Sequence, residues 1–124
     1  MFKVKFYKDK QGNEPVYDYL KELDKKAKTS KNERILLQNI WKHIKILRAY
    51  GTRAGMPYIE HIEGDIWQLR PLDNRVFFFY LKGDIKAFIL LHHFTKKTNK
   101  TPPREIEQAK RNMLEVIERS KEYE

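Results

Sequence analysis

Apolar and basic positions alternate in the opening stretch FKVKFY, residues 2–7, the period of a half-buried strand. The period then lengthens. Through QGNEPVYDYLKELDKKAK the apolar residues Val16, Leu20, Leu23 and Ala27 recur at helical spacing, with Asn13 as a candidate cap and Pro15 in the first turn. A second helix is expected from Ser30, where Glu33 completes a capping-box pattern; Leu36, Leu37, Ile40, Ile44 and Leu47 form its apolar face, and Gly51 ends it. These two helices read as an antiparallel pair lying on a sheet.

The middle of the chain has strand character. Gly64-Asp65-Ile66 and Gly83-Asp84-Ile85 read as hairpin turns, and PLDN at 71–74 as a third. They delimit a four-strand meander over about 58–62, 66–70, 75–82 and 85–94. In TPPREIEQAKRNMLEVIERSKEYE, Pro102 and Pro103 open a last helix with Ile106, Ala109, Met113, Val116 and Ile117 along one face. No linker or low-complexity segment divides the chain. The order predicts a single α+β domain over 1–124, with helices packed on an antiparallel sheet.

The turns also place side chains. If PLDN is a four-residue loop, Arg70 and Arg75 stand opposite each other, with Gln68 and Phe77 on the same face. Trp67, Leu69, Val76, Phe78 and Tyr80 then take the other face, the better one for packing under helices. If Gly83-Asp84 is a two-residue type II′ loop, Lys82 pairs with Ile85 and Arg75 with His92, and Lys96 continues the same face. A three-residue loop brings His93 round instead. Either register sets one histidine and one or two lysines near two arginines.

Charge strengthens that picture. With 26 Lys+Arg against 17 Asp+Glu, the net charge of +9 favours polyanionic or acidic partners. HHFTKKTNKTPPR, residues 92–104, contains no acid at all. No cysteine is present, which excludes disulfides and thiolate chemistry and fits a reducing compartment. The first residues lack the apolar core of a signal peptide, and the run VFFFYL is too short to span a bilayer. A cytoplasmic protein without membrane contact is expected.

The residues narrow the chemistry further. The two serines, Ser30 and Ser120, have helical surroundings and no nucleophile elbow. The histidines His43, His61, His92 and His93 show no metal-ligand spacing, and adjacent His92 and His93 point to opposite faces of a strand, so no metal or other cofactor is expected. Glu60, Glu63, Asp65, Asp73 and Asp84 read as turn or exposed-strand acids without pairing for glycoside chemistry. A cationic cluster with imidazole suits phosphodiester chemistry on RNA, where the 2′-OH is an internal nucleophile. A nucleic-acid-binding face without catalysis fits the same residues, with Phe77 as a stacking platform or as core.

EGDIWQLRPLDNRVFFFYL, followed by AFILLHHFTKKTNKTPPREIEQAKRN, resembles the HigB-like, phage-derived branch of the RelE/ParE toxin superfamily. The order of elements agrees over essentially the whole chain. The resemblance implies a RelE-like fold and a toxin of a type II toxin–antitoxin pair that cuts mRNA on the translating ribosome without a metal. ParE-like gyrase inhibition is the alternative on the same fold. Carried over by position, Arg75 matches the arginine at the scissile phosphate, and Lys96 and Lys97 match the basic pair of charge stabilisation and proton transfer. Arg70 matches a recurrent Leu-Arg. Where RelE places strand lysines, this chain has Ile66 and Gln68, so the resemblance implies that those roles are vacant or supplied by His92, His93 or the loop lysines; TPPR stands where a tyrosine is found in RelE. Arg70, Gln68, Lys100 and Arg104 are the expected RNA-binding residues. The implied partners are a HigA-like helix-turn-helix antitoxin, mRNA on the ribosome and, only through the antitoxin complex, operator DNA. The first strand and the lysine-rich first helices are candidate docking surfaces.

Overall fold

The computed structural model describes residues 1–124. Its elements run β1 (Lys3–Phe6), α1 (Pro15–Ala27), α2 (Lys31–Tyr50), β2 (Ile59–Glu63), β3 (Ile66–Leu69), β4 (Asn74–Lys82), β5 (Lys86–Thr95) and α3 (Pro103–Glu118). Single 3-10 turns, Gly51–Ala54 and Ser120–Tyr123, follow α2 and α3. The chain is therefore α+β, with three helices on a five-stranded sheet.

The sheet order is β1-β5-β4-β3-β2. Strands β2 to β5 form the expected antiparallel meander. The expectation of a wholly antiparallel sheet fails at β1, which lies parallel to β5. The meander is entered at its far edge, and three hairpin reversals return β5 beside β1 in the same direction. The sheet is mixed.

Helices α1 and α2 cover one face, where Val16, Leu20, Ile40 and Leu47 pack on Leu69, Val76, Phe78 and Leu90. The opposite face is not left open, because Ala109 and Val116 of α3 cover Phe77, Phe79, Ile89 and Leu91. Ile117 departs from the predicted apolar stripe and is exposed. Ser30 caps α2 as expected, its hydroxyl accepting the Glu33 amide at 3.3 Å. Asn13 does not cap α1. Glu14 stands at that position without a side-chain bond, while the Asp9 carboxylate gathers the amides of Gln11 and Asn13 at 2.9 and 2.8 Å.

The β4–β5 hairpin has the three-residue loop of the second reading, but not the pairing at Arg75 that either reading predicts. Lys82 pairs with Lys86 across the three-residue loop 83–85, and Gly83 does not take the positive φ that a type II′ turn requires. Continued unchanged, that register would set His93 opposite Arg75. A β-bulge intervenes: Phe78 pairs with Leu90 but Phe77 with His92, so Leu91 is extra. Arg75 consequently pairs with Phe94, His92 lies on the Arg75 face, and His93 turns to the helix face opposite Val76. A bulge leaves ladder groups unpaired, and here α3 supplies the partner. Buried Asn112 donates from Nδ2 to the Leu91 carbonyl at 2.9 Å, while its Oδ1 accepts from Gln108 at 2.9 Å.

On the helix face the His93 ring stacks on Tyr19 of α1 at 4.1 Å between centroids, and the Tyr19 hydroxyl donates to Asn74 at 2.8 Å. Burial, reinforced by neighbouring His92 and opposed by Glu105, pushes the His93 pKa down to about 4. The imidazole is thus held neutral, as a flat spacer between α1 and the sheet.

Two outcomes follow from these contacts. Asn112→Leu leaves the Leu91 carbonyl buried without a donor, and urea unfolding should show a loss of about 1–3 kcal/mol. For His93, the unfolded chain takes up its proton near pH 6.5 and the folded chain only near pH 4. Stability should therefore decline as pH falls through that window, by up to about 3 kcal/mol. His93→Gln should flatten this part of the profile; an unchanged slope in the variant would assign it to other groups.

Candidate functional site

Across the face that carries α3, the ladders define two rows. Gln68, Phe77 and His92 stand side by side on β3, β4 and β5. One step further, Arg75 pairs with Phe94, and the β3–β4 register sets Arg70 beside Arg75 as the PLDN reading predicts. Diagonal neighbours on such a ladder lie about 7–8 Å apart, which places Arg75 and His92 within reach of one small group. Phe77 is fully buried, so it is core and offers no stacking platform.

Arg75 is 8 % exposed. Its Nη1 donates to the carbonyls of Leu72 at 2.8 Å and Asn74 at 2.7 Å, holding the turn between β3 and β4. In that turn Leu72 adopts φ 54°, a left-handed conformation costing a branched residue about 1–2 kcal/mol. Burial depresses the Arg75 pKa, the Arg70 guanidinium adds to this, and Glu60 and Asp73 oppose it.

Glu60, which the sequence suggested only as an exposed-strand acid, is built into the site. Its Oε1 accepts from Gln68 Nε2 at 2.7 Å and lies 3.7 Å from Arg70 Nε. Even so, the polar groups here are under-engaged. Four buried side-chain nitrogen or oxygen atoms in the chain have no hydrogen-bond partner, and three of them are Gln68 Oε1, Arg70 Nε and Arg75 Nε. Buried polar atoms without partners are rare in folded chains, and two guanidinium donors beside one another are the complement of an anion.

His92 is oriented by α3. Its Nε2 lies 2.7 Å from Oε1 of Glu105, in the first turn of that helix. A carboxylate only accepts, so Nε2 carries the proton and Nδ1 of the neutral ring is left as the basic nitrogen. Glu105 escaped the sequence reading because only the packing of α3 across the sheet brings it to His92. An acid in the first turn of a helix otherwise reads as a favourable charge at its positive end.

The basic segment after β5 is attached to the same place by main chain. The Lys96 amide donates to the Asp73 carbonyl at 2.7 Å, which ties this segment to the Arg75 turn. Lys96 is half-buried there, whereas Lys97, Lys100 and Arg104 are exposed. The structure thus gathers Gln68, Arg70, Arg75, His92 and Lys96 at one end of the sheet, and His93 lies on the other face. No three His or carboxylate side chains come together at metal-binding distances. Chemically, the arrangement offers guanidinium donors for a phosphate and an oriented imidazole beside them.

Residues 18–114, which include every one of these groups and leave out β1, match the family of phage derived protein Gp49-like (DUF891). No curated protein matches the chain. No helix is long and apolar enough to cross a membrane. The match spans most of the chain: it belongs to the Gp49-like phage-derived family, within the RelE/HigB-type toxin superfamily.

Proposed function

We propose that the chain is a HigB-like toxin of a type II toxin–antitoxin pair that cleaves mRNA on the ribosome. The family supplies the toxin-like module. The observation that carries the nuclease reading is the under-engaged arginine pair: Arg70 Nε, 3.7 Å from Glu60, and Arg75 Nε are both buried without a hydrogen bond, on the face of an imidazole aligned by Glu105.

In this reading His92 Nδ1 removes the proton of a ribose 2′-OH, and the resulting oxygen attacks the adjacent phosphorus. Arg75 and Arg70 hold the phosphorane oxygens as negative charge accumulates. The bond from phosphorus to the 5′-oxygen breaks, and Lys96 or Lys97 protonates the departing oxygen. A 2′,3′-cyclic phosphate and a 5′-hydroxyl result. Gln68, Lys100 and Arg104 bind flanking phosphates or ribose. His93, neutral and stacked on Tyr19, has no part in proton transfer. A HigA-like antitoxin neutralises the toxin in the cytoplasm, and operator DNA is bound through the complex.

The test is induction in a bacterial host with mapping of transcript 5′ ends. Cuts within translated codons are expected. His92→Ala should slow cleavage by about 10²–10⁴-fold and Arg75→Ala by about 10²–10³-fold, with thermal melting showing each variant folded. Because Arg75 also holds its turn, Glu105→Gln provides a second probe that leaves the turn intact and should impair cleavage through His92 alone. Growth arrest with intact transcripts would point to gyrase poisoning, and no arrest would leave a binding module.

A further inference from the structure

The sheet has two edges, and they are finished differently. At the β2 edge the ladder is interrupted by a bulge between His61 and Glu63, and Lys110 of α3 reaches across to pair with Glu63. Such irregularities discourage further strand pairing. Strand β1 has no bulge: Lys3, Val4, Lys5 and Phe6 pair in unbroken register with Ala87 to Leu90.

In a parallel pair, the backbone groups of alternate residues point to opposite neighbours. The Tyr7 amide donates to Leu90 of β5 at 2.9 Å, so Lys3, Lys5 and Tyr7 face inward and Val4, Phe6 and Lys8 face outward. The outward groups of Lys8 are already occupied. Its amide donates to the Tyr123 hydroxyl at 2.9 Å, and its carbonyl accepts from Tyr123 at 3.2 Å and from Arg119. The carboxy-terminal turn therefore stops the edge at Lys8, leaving Val4 and Phe6 to offer two amides and two carbonyls. Beside them lies an open groove of about 580 Å³, lined by Lys5, Lys8, Glu14, Arg119 and Glu122 with Tyr123 at its end.

Side chains specify what fits. Val4 and Phe6 pack on the α1–α2 side, while Lys3 and Lys5 stand on the other. Lys3, Lys5, Lys8, Lys10 and Arg119 outnumber the acids at this end, Asp9, Glu14 and Glu122; Asp9 is engaged by Gln11 and Asn13, and Glu122 lies 3.6 Å from Arg119. A second copy of β1 would set these lysines against each other, which disfavours self-pairing. We propose that β1 is a docking edge for an extended acidic segment of a partner protein, which adds a sixth strand by pairing with Val4 and Phe6. Its sequence alternates apolar and acidic residues: the apolar ones continue the row of Val4 and Phe6, and the acids lie beside Lys3 and Lys5. This surface is separate from the arginine cluster, and the proposal does not depend on the nuclease reading.

The probe is a capped octapeptide of alternating valine and glutamate, added to the full chain while amide exchange is followed by NMR. In the peptide-free chain the Val4 and Phe6 amides should exchange fast and those of Lys5 and Tyr7 slowly. Millimolar peptide should slow Val4 and Phe6 by about tenfold or more. A lysine-for-glutamate peptide and a fully N-methylated peptide should leave them unchanged. The double variant Lys3→Glu, Lys5→Glu should reverse the preference between the acidic and basic peptides. The proposal is overturned if Val4 and Phe6 are already protected, if millimolar acidic peptide has no effect, or if the basic or methylated peptide acts equally well. Protection that grows with protein concentration alone would identify a second copy as the occupant and overturn it too.

Discussion

One hydrogen bond, from Asn112 of α3 to the carbonyl of Leu91, holds the feature on which the rest of the site depends. Strand β5 carries one residue more than β4 needs, and the excess is absorbed at Leu91. Beyond that point the alternation of faces is reversed. His92 joins the arginines, His93 joins the helices, and Phe94 closes the core beside Phe77. A polar residue on the buried stripe of an amphipathic helix would normally weaken packing. Here it satisfies the carbonyl that the bulge releases, and so fixes where the extra residue sits.

Electrostatics within the site differ from what the net charge of +9 suggests. The cations of the cluster are not left to repel each other in solvent. Glu60 holds Gln68 and stands by Arg70, and Glu105 holds His92. Each acid fixes the direction of a donor while leaving other polar atoms of the cluster without a partner. Precise aim requires such counter-charges, because unpaired cationic side chains in water sample many rotamers.

Periodicity revealed the elements well. The helical spacing of Val16 to Ala27 and of Leu36 to Leu47, and the turn at 71–74, carried enough information to place Gln68 against Phe77 and Arg70 beside Arg75. Those features are local: a turn of known length fixes the register of two strands. What escaped has non-local causes. The bulge at Leu91 lies within an uninterrupted apolar run, where either phase buries hydrophobic side chains. The parallel placement of β1 depends on a strand some eighty residues away. Glu105 acquires its partner only when α3 crosses the sheet, and Asn13 lost its expected capping role to the Asp9 turn.

The turn from Pro71 to Asn74 is held at every one of its carbonyls. Pro71 accepts from Asn74, Leu72 and Asn74 accept from Arg75, and Asp73 accepts from Lys96. Two of these four contacts come from one side chain, that of Arg75, and the other two run through main-chain amides that almost any residue supplies. The sequence beyond Lys96 is therefore decoupled from the position of the turn. Substitutions at Lys97 to Lys100 alter the charge of this exposed surface while the turn stays where it is. Arg75 has no such latitude, because its one guanidinium nitrogen holds two carbonyls of the turn and its loss frees both at once.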